Sequence, residues 1–176
     1  MKTVRWSSLI PVVVVFALAG PGHAQTKDSR SVAPPAPHLK FVFEEFVTLG
    51  ASIHPGPTPF GERNIVPITG GTFSGPNIRG KILPGAWDWQ LVTKTGCHTV
   101  DANYMIQTDD GAIINVVNKG MLCEQPGRHS PFYTTPTFEA PLGPHDWLNS
   151  GAYVGTLEGT TLHGVPAVHI RFYRAE

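Results

Sequence analysis

Hydrophobic and polar residues alternate along the chain from residue 39 onward, and the alternation has a period of two. The first stretch shows it well, because one side is formed by the apolar residues Leu39, Phe41, Phe43, Val47 and Leu49. The other side is mixed and consists of Lys40, Val42, Glu44, Phe46 and Thr48. A period of two is typical of a β-strand with one buried face, so this stretch is predicted to be a strand.

Glycine and proline residues divide the rest of the chain into further short stretches of the same kind. These stretches are residues 62–69, 72–83, 86–95, 98–108, 112–120, 132–139, 147–156 and 166–174. No run of twelve residues keeps the 3.6-residue period of a helix without a glycine or proline inside it. The sequence therefore predicts eight or nine antiparallel strands that form a barrel or a sandwich.

The dipeptide Thr95-Gly96 predicts a two-residue turn between two of these strands. The resulting register pairs Trp87 with Tyr104, Asp88 with Asn103, Trp89 with Ala102 and Gln90 with Asp101. It separates an aromatic and apolar face, which carries both tryptophans, from a polar face that carries both aspartates. Which of the two faces lines the interior stays open at the level of the sequence.

Residues 108–112, with the sequence TDDGA, predict a type I turn closed by a G1 bulge. Thr108 then pairs with Ala112, and all later pairs of this hairpin have residue numbers that sum to 220. Cys97 and Cys123, the two cysteines of the chain, satisfy that sum and so face each other. In an exported protein such a pair is predicted to form a disulfide; two free thiols are the alternative if bulges shift the register.

The first 24 residues have the three parts of a secretory signal peptide. Lys2 and Arg5 precede an apolar run of about ten residues, and small residues lead up to Ala24. A membrane anchor is the alternative, but the run is half of the roughly 20 residues that span a bilayer. We expect cleavage after Ala24, a disordered proline-rich linker over residues 25–37, and one domain over residues 38–176. The mature protein would be periplasmic or secreted and would have no membrane anchor.

The charge balance removes one class of partner. The chain has 13 Lys and Arg residues against 13 Asp and Glu residues, so the formal net charge is zero and no nucleic-acid partner is predicted. Hydrophobic residues make up 41% of the chain and charged residues 15%. This composition excludes a disordered chain and provides enough apolar side chains for a hydrophobic core.

Several short motifs occur in a specific order. They are GER at 61–63, PITGGTF at 67–73, GP at 75–76, DWQ at 88–90, TDDG at 108–111, FE at 138–139 and WLN at 147–149, with Gly80, Asp101 and Tyr104 between them. In this order they resemble the DUF3237 family, also called UPF0311. The resemblance implies a single closed antiparallel β-barrel of about eight strands with little helix, similar to the allene oxide cyclase and dirigent barrels. It implies no reaction, and Asn103 stands where family members usually have an arginine.

Asp88, Asp101 and Arg63 are the strongest candidates for catalysis. In the predicted register the two carboxyl groups lie diagonally on one face of adjacent strands, with about 7–8 Å between their backbones. Inside a poorly solvated cavity the charge of one carboxylate raises the pKa of the other, so that one group acts as an acid and the other as a base. Arg63 would hold a substrate carboxylate or an enolate, and Tyr104 or Asn115 would orient a carbonyl. If the aromatic face lines the interior, the aspartates only meet water.

A second set of residues is predicted to bind the ligand. Trp147 and Asn149 are expected at the mouth of the barrel, where they would stack on the ligand and donate a hydrogen bond to it. A core plug and a turn residue are the alternative roles of these two. Trp89 and Asn103 complete the predicted ligand-binding set.

Two functions fit this sequence. The first is an exported enzyme of the isomerase, cyclase or lyase type that uses acid–base chemistry on a small, partly apolar substrate. The alternative is a lipocalin-like carrier of a hydrophobic ligand, and a structural or interaction role is a third option. No cofactor and no metal are predicted, since His163 and His169 have no third ligand at a useful spacing. The sequence does not decide whether the protein forms a homo-oligomer through an apolar outer face.

Overall fold

The computed structural model describes residues 35–123 and 132–176, so the predicted signal peptide and most of the predicted linker lie outside the described residues. The chain divides into two units, Met1–Pro35 and Ala36–Glu176, and the strands of the described residues all belong to the second. They are β1 (Leu39–Leu49), β2 (Ile53–Thr58), β3 (Gly61–Ser74), β4 (Arg79–Ile82), β5 (Ala86–Thr93), β6 (His98–Thr108), β7 (Ile113–Leu122), β8 (Phe132–Glu139), β9 (Tyr153–Leu162) and β10 (Val165–Ala175). One short 3-10 helix, Asp146–Asn149, precedes β9. Within the two described ranges, no helix combines the length and the apolar character needed to cross a membrane.

The strands form one antiparallel sheet that closes into a barrel with eight positions around its circumference. Strands β10, β9, β8, β7 and β6 follow one another beside β1, and β3 pairs with β1 to close the ring. β1 and β2 together occupy one position along β3, and β4 and β5 together occupy the position between β3 and β6. The prediction of a single antiparallel barrel of about eight strands with little helix is therefore confirmed.

Four stretches differ from the strands predicted above. Residues 72–83 do not form one strand, because β3 ends at Ser74 and β4 begins at Arg79. β2 was not predicted, because its sequence IHPGPT is typical of a turn; it pairs only with β3, where the missing proline N–H groups can be tolerated. β3 runs through Gly70-Gly71, and its register against β1 shifts by one residue there instead of the strand ending. Residues 147–149 belong to the 3-10 helix and not to a strand.

Phenylalanine side chains fill the end of the barrel at which β1 begins. The ring of Phe43 lies 5.7 Å from those of Phe73 and Phe138 and 5.0 Å from that of Phe172, measured between centroids. Leu148 of the 3-10 helix is buried in the same cluster. This packing closes one end of the barrel, so a ligand can reach the interior from the other end.

The predicted register between β5 and β6 is wrong by one residue. Asp88 faces Ala102, and Trp87 faces Asn103. The cause is the turn between the two strands. Thr93 N donates a hydrogen bond to Cys97 O, and Gly96 N donates one to Thr93 O. The loop therefore has three residues, and its last residue, Gly96, is left-handed with φ 83°. The one-residue slip moves every β5 side chain to the other face relative to β6.

The predicted register between β6 and β7 is confirmed. Thr108 N donates to Ala112 O, and His98 pairs with Leu122 at the far end of the hairpin, so the pairs keep the sum of 220. Cys97 and Cys123 lie just beyond that end and form a disulfide with 4.2 Å between their Cα atoms. The turn chemistry at residues 108–112 thus fixed a covalent contact 26 residues apart in the chain.

Candidate functional site

The inner wall of the barrel combines the polar face of β5 with the apolar face of β6. Asp88 and Gln90 point inward beside Val100, Ala102 and Tyr104. These side chains line an inner cavity of about 50 Å³, whose wall is otherwise mostly aliphatic. The combination leaves a carboxyl group facing a small apolar space.

A larger cavity of about 580 Å³ forms the mouth at the open end of the barrel. It shares Gln90, Val100 and Leu157 with the inner cavity, so the two adjoin. The mouth has room for a small organic molecule, whereas the inner cavity has room for one substituent of it. A ligand would therefore place a single functional group near Asp88.

Hydrogen bonds hold Asp88 in a fixed orientation. Gln90 Nε2 donates to its Oδ2 at 2.8 Å, and the backbone N of Asp101 donates to its Oδ1 at 2.9 Å. Asn64 Nδ2 in turn donates to Gln90 Oε1 at 2.8 Å, which fixes the amide that contacts Asp88. Burial raises the pKa of the Asp88 carboxyl, while the hydrogen bonds from Gln90 and the Asp101 amide act to lower it.

A second buried acid lies behind Tyr104. The side chain of Glu45 has no exposed surface, and the Tyr104 hydroxyl donates to its Oε2 at 2.5 Å. Burial raises the pKa of Glu45 to about 8, although the Tyr104 hydrogen bond lowers it. Burial and the nearby Glu45 also raise the pKa of Tyr104 well above its ordinary value. At neutral pH both groups therefore hold their protons, and Tyr104 does so at the edge of the inner cavity.

Arg63 lies at the mouth, as part of the wall of the larger cavity. Its Nη1 donates to the backbone carbonyl of Trp89 at 3.1 Å and to that of Gln90 at 3.4 Å. These contacts hold the guanidinium over β5, where its remaining N–H groups can bind an anionic or carbonyl group of a ligand.

The predicted pairing of Asp88 with Asp101 inside the barrel is wrong. Asp101 lies on the outer face of β6, where its side chain is 48% exposed and its Oδ2 lies 3.0 Å from Lys119 Nζ. The reason is the three-residue loop described above, which places Asp88 on the same face as Ala102 and not on that of Asp101. The two carboxyl groups do not share one cavity.

Trp89, Asn103 and Asn115, which are predicted to bind or orient the ligand, face outward and lie away from the inner cavity. Trp89 is 49% exposed, and together with Trp87 and Met105 these residues border a shallow groove on the outer wall. Their positions follow from the same register and from the alternation of side chains along β6 and β7.

Trp147 and Asn149 lie at the closed end, not at the mouth. Asn149 accepts a hydrogen bond from Ala140 N at 2.7 Å and donates one to Ala140 O at 2.9 Å, beyond the last residue of β8. Phe132, which lines the mouth, is at the other end of that strand. Trp147 packs against the core beside Leu148. The alternative roles given above, a core plug and a turn residue, describe these two better.

Two inward polar residues were missed at the level of the sequence. Glu45 occupies the inward series of β1 between Phe43 and Val47, and Asn118 follows Ile114 and Val116 in the inward series of β7. In both cases a polar residue interrupts an otherwise apolar alternation, and that interruption is the signal that could have found them.

The arrangement can exchange protons with a ligand. The Asp88 carboxyl, whose pKa is raised by burial, borders the cavity and can accept or donate one proton. The Tyr104 hydroxyl donates its proton to Glu45, so its oxygen can accept a hydrogen bond from a donor group of the ligand. Both groups act in a mostly apolar space, where electrostatic interactions are stronger than in water.

Comparison with known proteins places the chain among β-barrels of the same size. It is 30% identical over 135 residues to a UPF0311 protein of Rhodopseudomonas palustris, covering 69% of this chain and 88% of the relative. A crystal structure of a β-barrel-like protein from Acinetobacter baumannii matches with a TM-score of 0.71 and 31% identity, covering 82% of this chain and 99% of that one.

One relative carries the name of an activity. A hydroalkoxylation enzyme of Penicillium herquei is 29% identical over 125 residues, covering 70% of this chain and 76% of the relative. The family model described as a protein of unknown function, DUF3237, matches residues 37–175. That match spans the whole barrel, and the chain therefore belongs to the DUF3237 family.

Proposed function

We propose that this protein is a cofactor-independent enzyme that transfers protons within a small, partly apolar substrate and so isomerises or cyclises it. The observation that carries the proposal is Asp88, a carboxyl group held by two hydrogen bonds on the inner wall, beside a cavity that adjoins an open mouth. Asp88 acts as the acid–base group, and Arg63 holds an anionic or carbonyl substituent at the mouth.

The relative from Penicillium herquei supports this reaction class. Hydroalkoxylation is the addition of an alcohol O–H across a carbon–carbon double bond. When both groups belong to one molecule, the oxygen bonds to one carbon and the proton moves to the other, so the product is an isomer. A single carboxyl group that accepts the first proton and returns it to carbon is sufficient for such a reaction.

The reaction can be tested with the hydroxychalcone whose phenol is ortho to the ketone carbonyl, because that phenol adds across the enone to give a flavanone. A panel of enol, lactone and epoxide compounds is tested alongside it. With any substrate that the wild type converts, we expect Asp88→Asn to lower kcat by about 100-fold or more, because general acid–base groups contribute that much. The binding of the substrate should persist, since the amide keeps the size and shape of the carboxyl group.

Asp101→Asn is the matched control, because Asp101 is the aspartate of the neighbouring strand but lies on the outer face. It should leave kcat within twofold of the wild type. Full turnover by Asp88→Asn would overturn the acid–base assignment. A wild type that binds these compounds without converting any of them would instead favour the carrier, for which the mostly aliphatic wall of the inner cavity is the supporting observation.

We also propose that the protein acts outside the cytoplasm. The disulfide between Cys97 and Cys123 supports export, because such bonds persist in oxidising compartments and are rare in the cytosol. The amino-terminal sequence pattern predicts the same location.

A further inference from the structure

Asn118 is a buried amide on the inner wall of the barrel. Its side chain is 1% exposed, and its Oδ1 has no hydrogen-bond partner within residues 35–123 and 132–176. Nearly all buried polar groups in folded proteins are paired with a protein group or with water. An unpaired amide oxygen beside a cavity therefore points to a partner that comes from outside the chain.

The inward polar residue of β8 nearest to Asn118 is Thr134, whose Oγ1 lies beside Gly155 on β9 and whose methyl group faces Gly120 on β7. The inward residues directly next to Asn118 carry no polar side chain. Its two cross-strand neighbours on the inner face are Ala102 on β6 and Pro136 on β8. Along its own strand the inward neighbours are Val116 and Gly120. A leucine would fill this position without any unpaired polar atom, so the packing of the barrel alone does not explain an amide here.

Asn118 and Asp88 lie on either side of Ala102. Asp88 faces Ala102 from β5 and Asn118 faces it from β7, which puts about 10 Å between the two backbones. Both residues line the inner cavity, and the methyl group of Ala102 leaves the space between them open. A group seated over Ala102 would contact both polar side chains.

We propose that Asn118 is a specificity-determining residue that binds a hydroxyl group of the substrate, seated over Ala102 and facing Asp88. The free Oδ1 is an acceptor and so requires a donor. A substrate hydroxyl donates to Oδ1 when it binds, and rotation of its O–H bond turns the same proton toward Asp88 for transfer. The aliphatic wall, which includes Leu157 and Ile170, takes the apolar body next to that hydroxyl. The substrate class is therefore small phenols and alcohols, an inference that deepens the proposed function and rests on it for the reaction.

Phenol and toluene test this inference, because they differ only in a hydroxyl against a methyl group. Both are titrated into the full-length protein, and binding is followed by NMR chemical-shift changes of the backbone amides. The wild type should bind phenol roughly tenfold more tightly than toluene, the size expected for one buried hydrogen bond. Asn118→Leu should abolish this preference, and Asn118→Ala should do the same without adding bulk.

Asn115→Leu is the control, because Asn115 lies on the same strand but faces outward. It should keep the preference of the wild type. A wild type with no preference for phenol, no binding of either probe, or a preference that survives in both Asn118 variants would each overturn the inference. This test is independent of the test of the proposed function. A wild type without a phenol preference refutes the hydroxyl subsite, whereas full turnover by Asp88→Asn refutes the acid–base role.

Discussion

The buried carboxyl group of Glu45 makes the stability of this barrel depend on pH. A carboxyl group without exposed surface is costly to ionise, and only the Tyr104 hydroxyl compensates it among the described residues. The neutral acid is the form that the folded state prefers, because burial raises the pKa to about 8. The unfolded chain loses the same proton near pH 4.5.

Glu45→Gln should therefore make the protein less sensitive to alkaline pH. Between about pH 4.5 and pH 8 the folded wild type retains a proton that the unfolded chain has lost, so its stability falls as the pH rises, by on the order of 1 kcal/mol per unit. The variant has no such proton. Its free energy of unfolding, measured by urea denaturation from pH 5 to pH 8.5, should change much less.

Glu139→Gln is the control for this series, because Glu139 is exposed at the end of β8. It should show the same pH dependence as the wild type. Equal slopes for the wild type and Glu45→Gln would mean that Glu45 is ionised in the folded state at neutral pH.

At the scale of the strands, glycine decides where the sheet can bend. Gly71 has φ 137°, and a Cβ atom at this position would lie 2.0 Å from the backbone oxygen of Phe46 on β1. The close approach occurs next to the register shift between β1 and β3, which lets both Ile68 and Phe73 point inward. The bend in β3 at Gly71 therefore helps β3 to pair with β1, which closes the barrel.

We expect Gly71→Ala to destabilise the protein by roughly 2 kcal/mol or more, since the clash is with backbone and the φ angle is unfavourable for alanine. Gly159→Ala on β9 is the matched control, because no atom lies within 4 Å of its added Cβ. That control should change stability by about 0.5 kcal/mol or less. Urea denaturation of both variants measures the difference, and equal stabilities would show that β3 can bend without the glycine.

For the molecule as a whole, the barrel has one closed and one open end, and the polar groups line the path between them. The phenylalanine cluster and the 3-10 helix close the end at which β1 begins. Arg63 lies at the open mouth, and Asp88 lies deeper, at the inner cavity. A substrate would therefore enter with its hydroxyl group first and leave its other end near Arg63.

Export is tested on the intact protein by mass spectrometry after purification from its native host. We expect a mass equal to residues 25–176 less two hydrogens, because the amino-terminal pattern predicts cleavage after Ala24 and Cys97 is bonded to Cys123. Retention of the first 24 residues would refute the predicted cleavage. A mass without the loss of two hydrogens would show that the thiols are reduced in that compartment.

The sequence by itself determined the strand content, the β6–β7 hairpin and its disulfide. Alternation with a period of two marks strands wherever one face is buried, and the residues TDDGA allow one tight turn that sets the pairing all the way to Cys97 and Cys123. These features depend on neighbours in the chain, so local chemistry is sufficient to specify them.

Only the tertiary structure decided which polar residues meet inside the barrel. Thr95-Gly96 is compatible with a two- or a three-residue loop, and the single-residue difference moves Asp101 to the outside while Asp88 stays within. The buried positions of Glu45 and Asn118, and the closed end that holds Trp147, depend on strands far apart in sequence. A pattern along one strand shows which residues share a face, but closure of the ring decides which face becomes the interior.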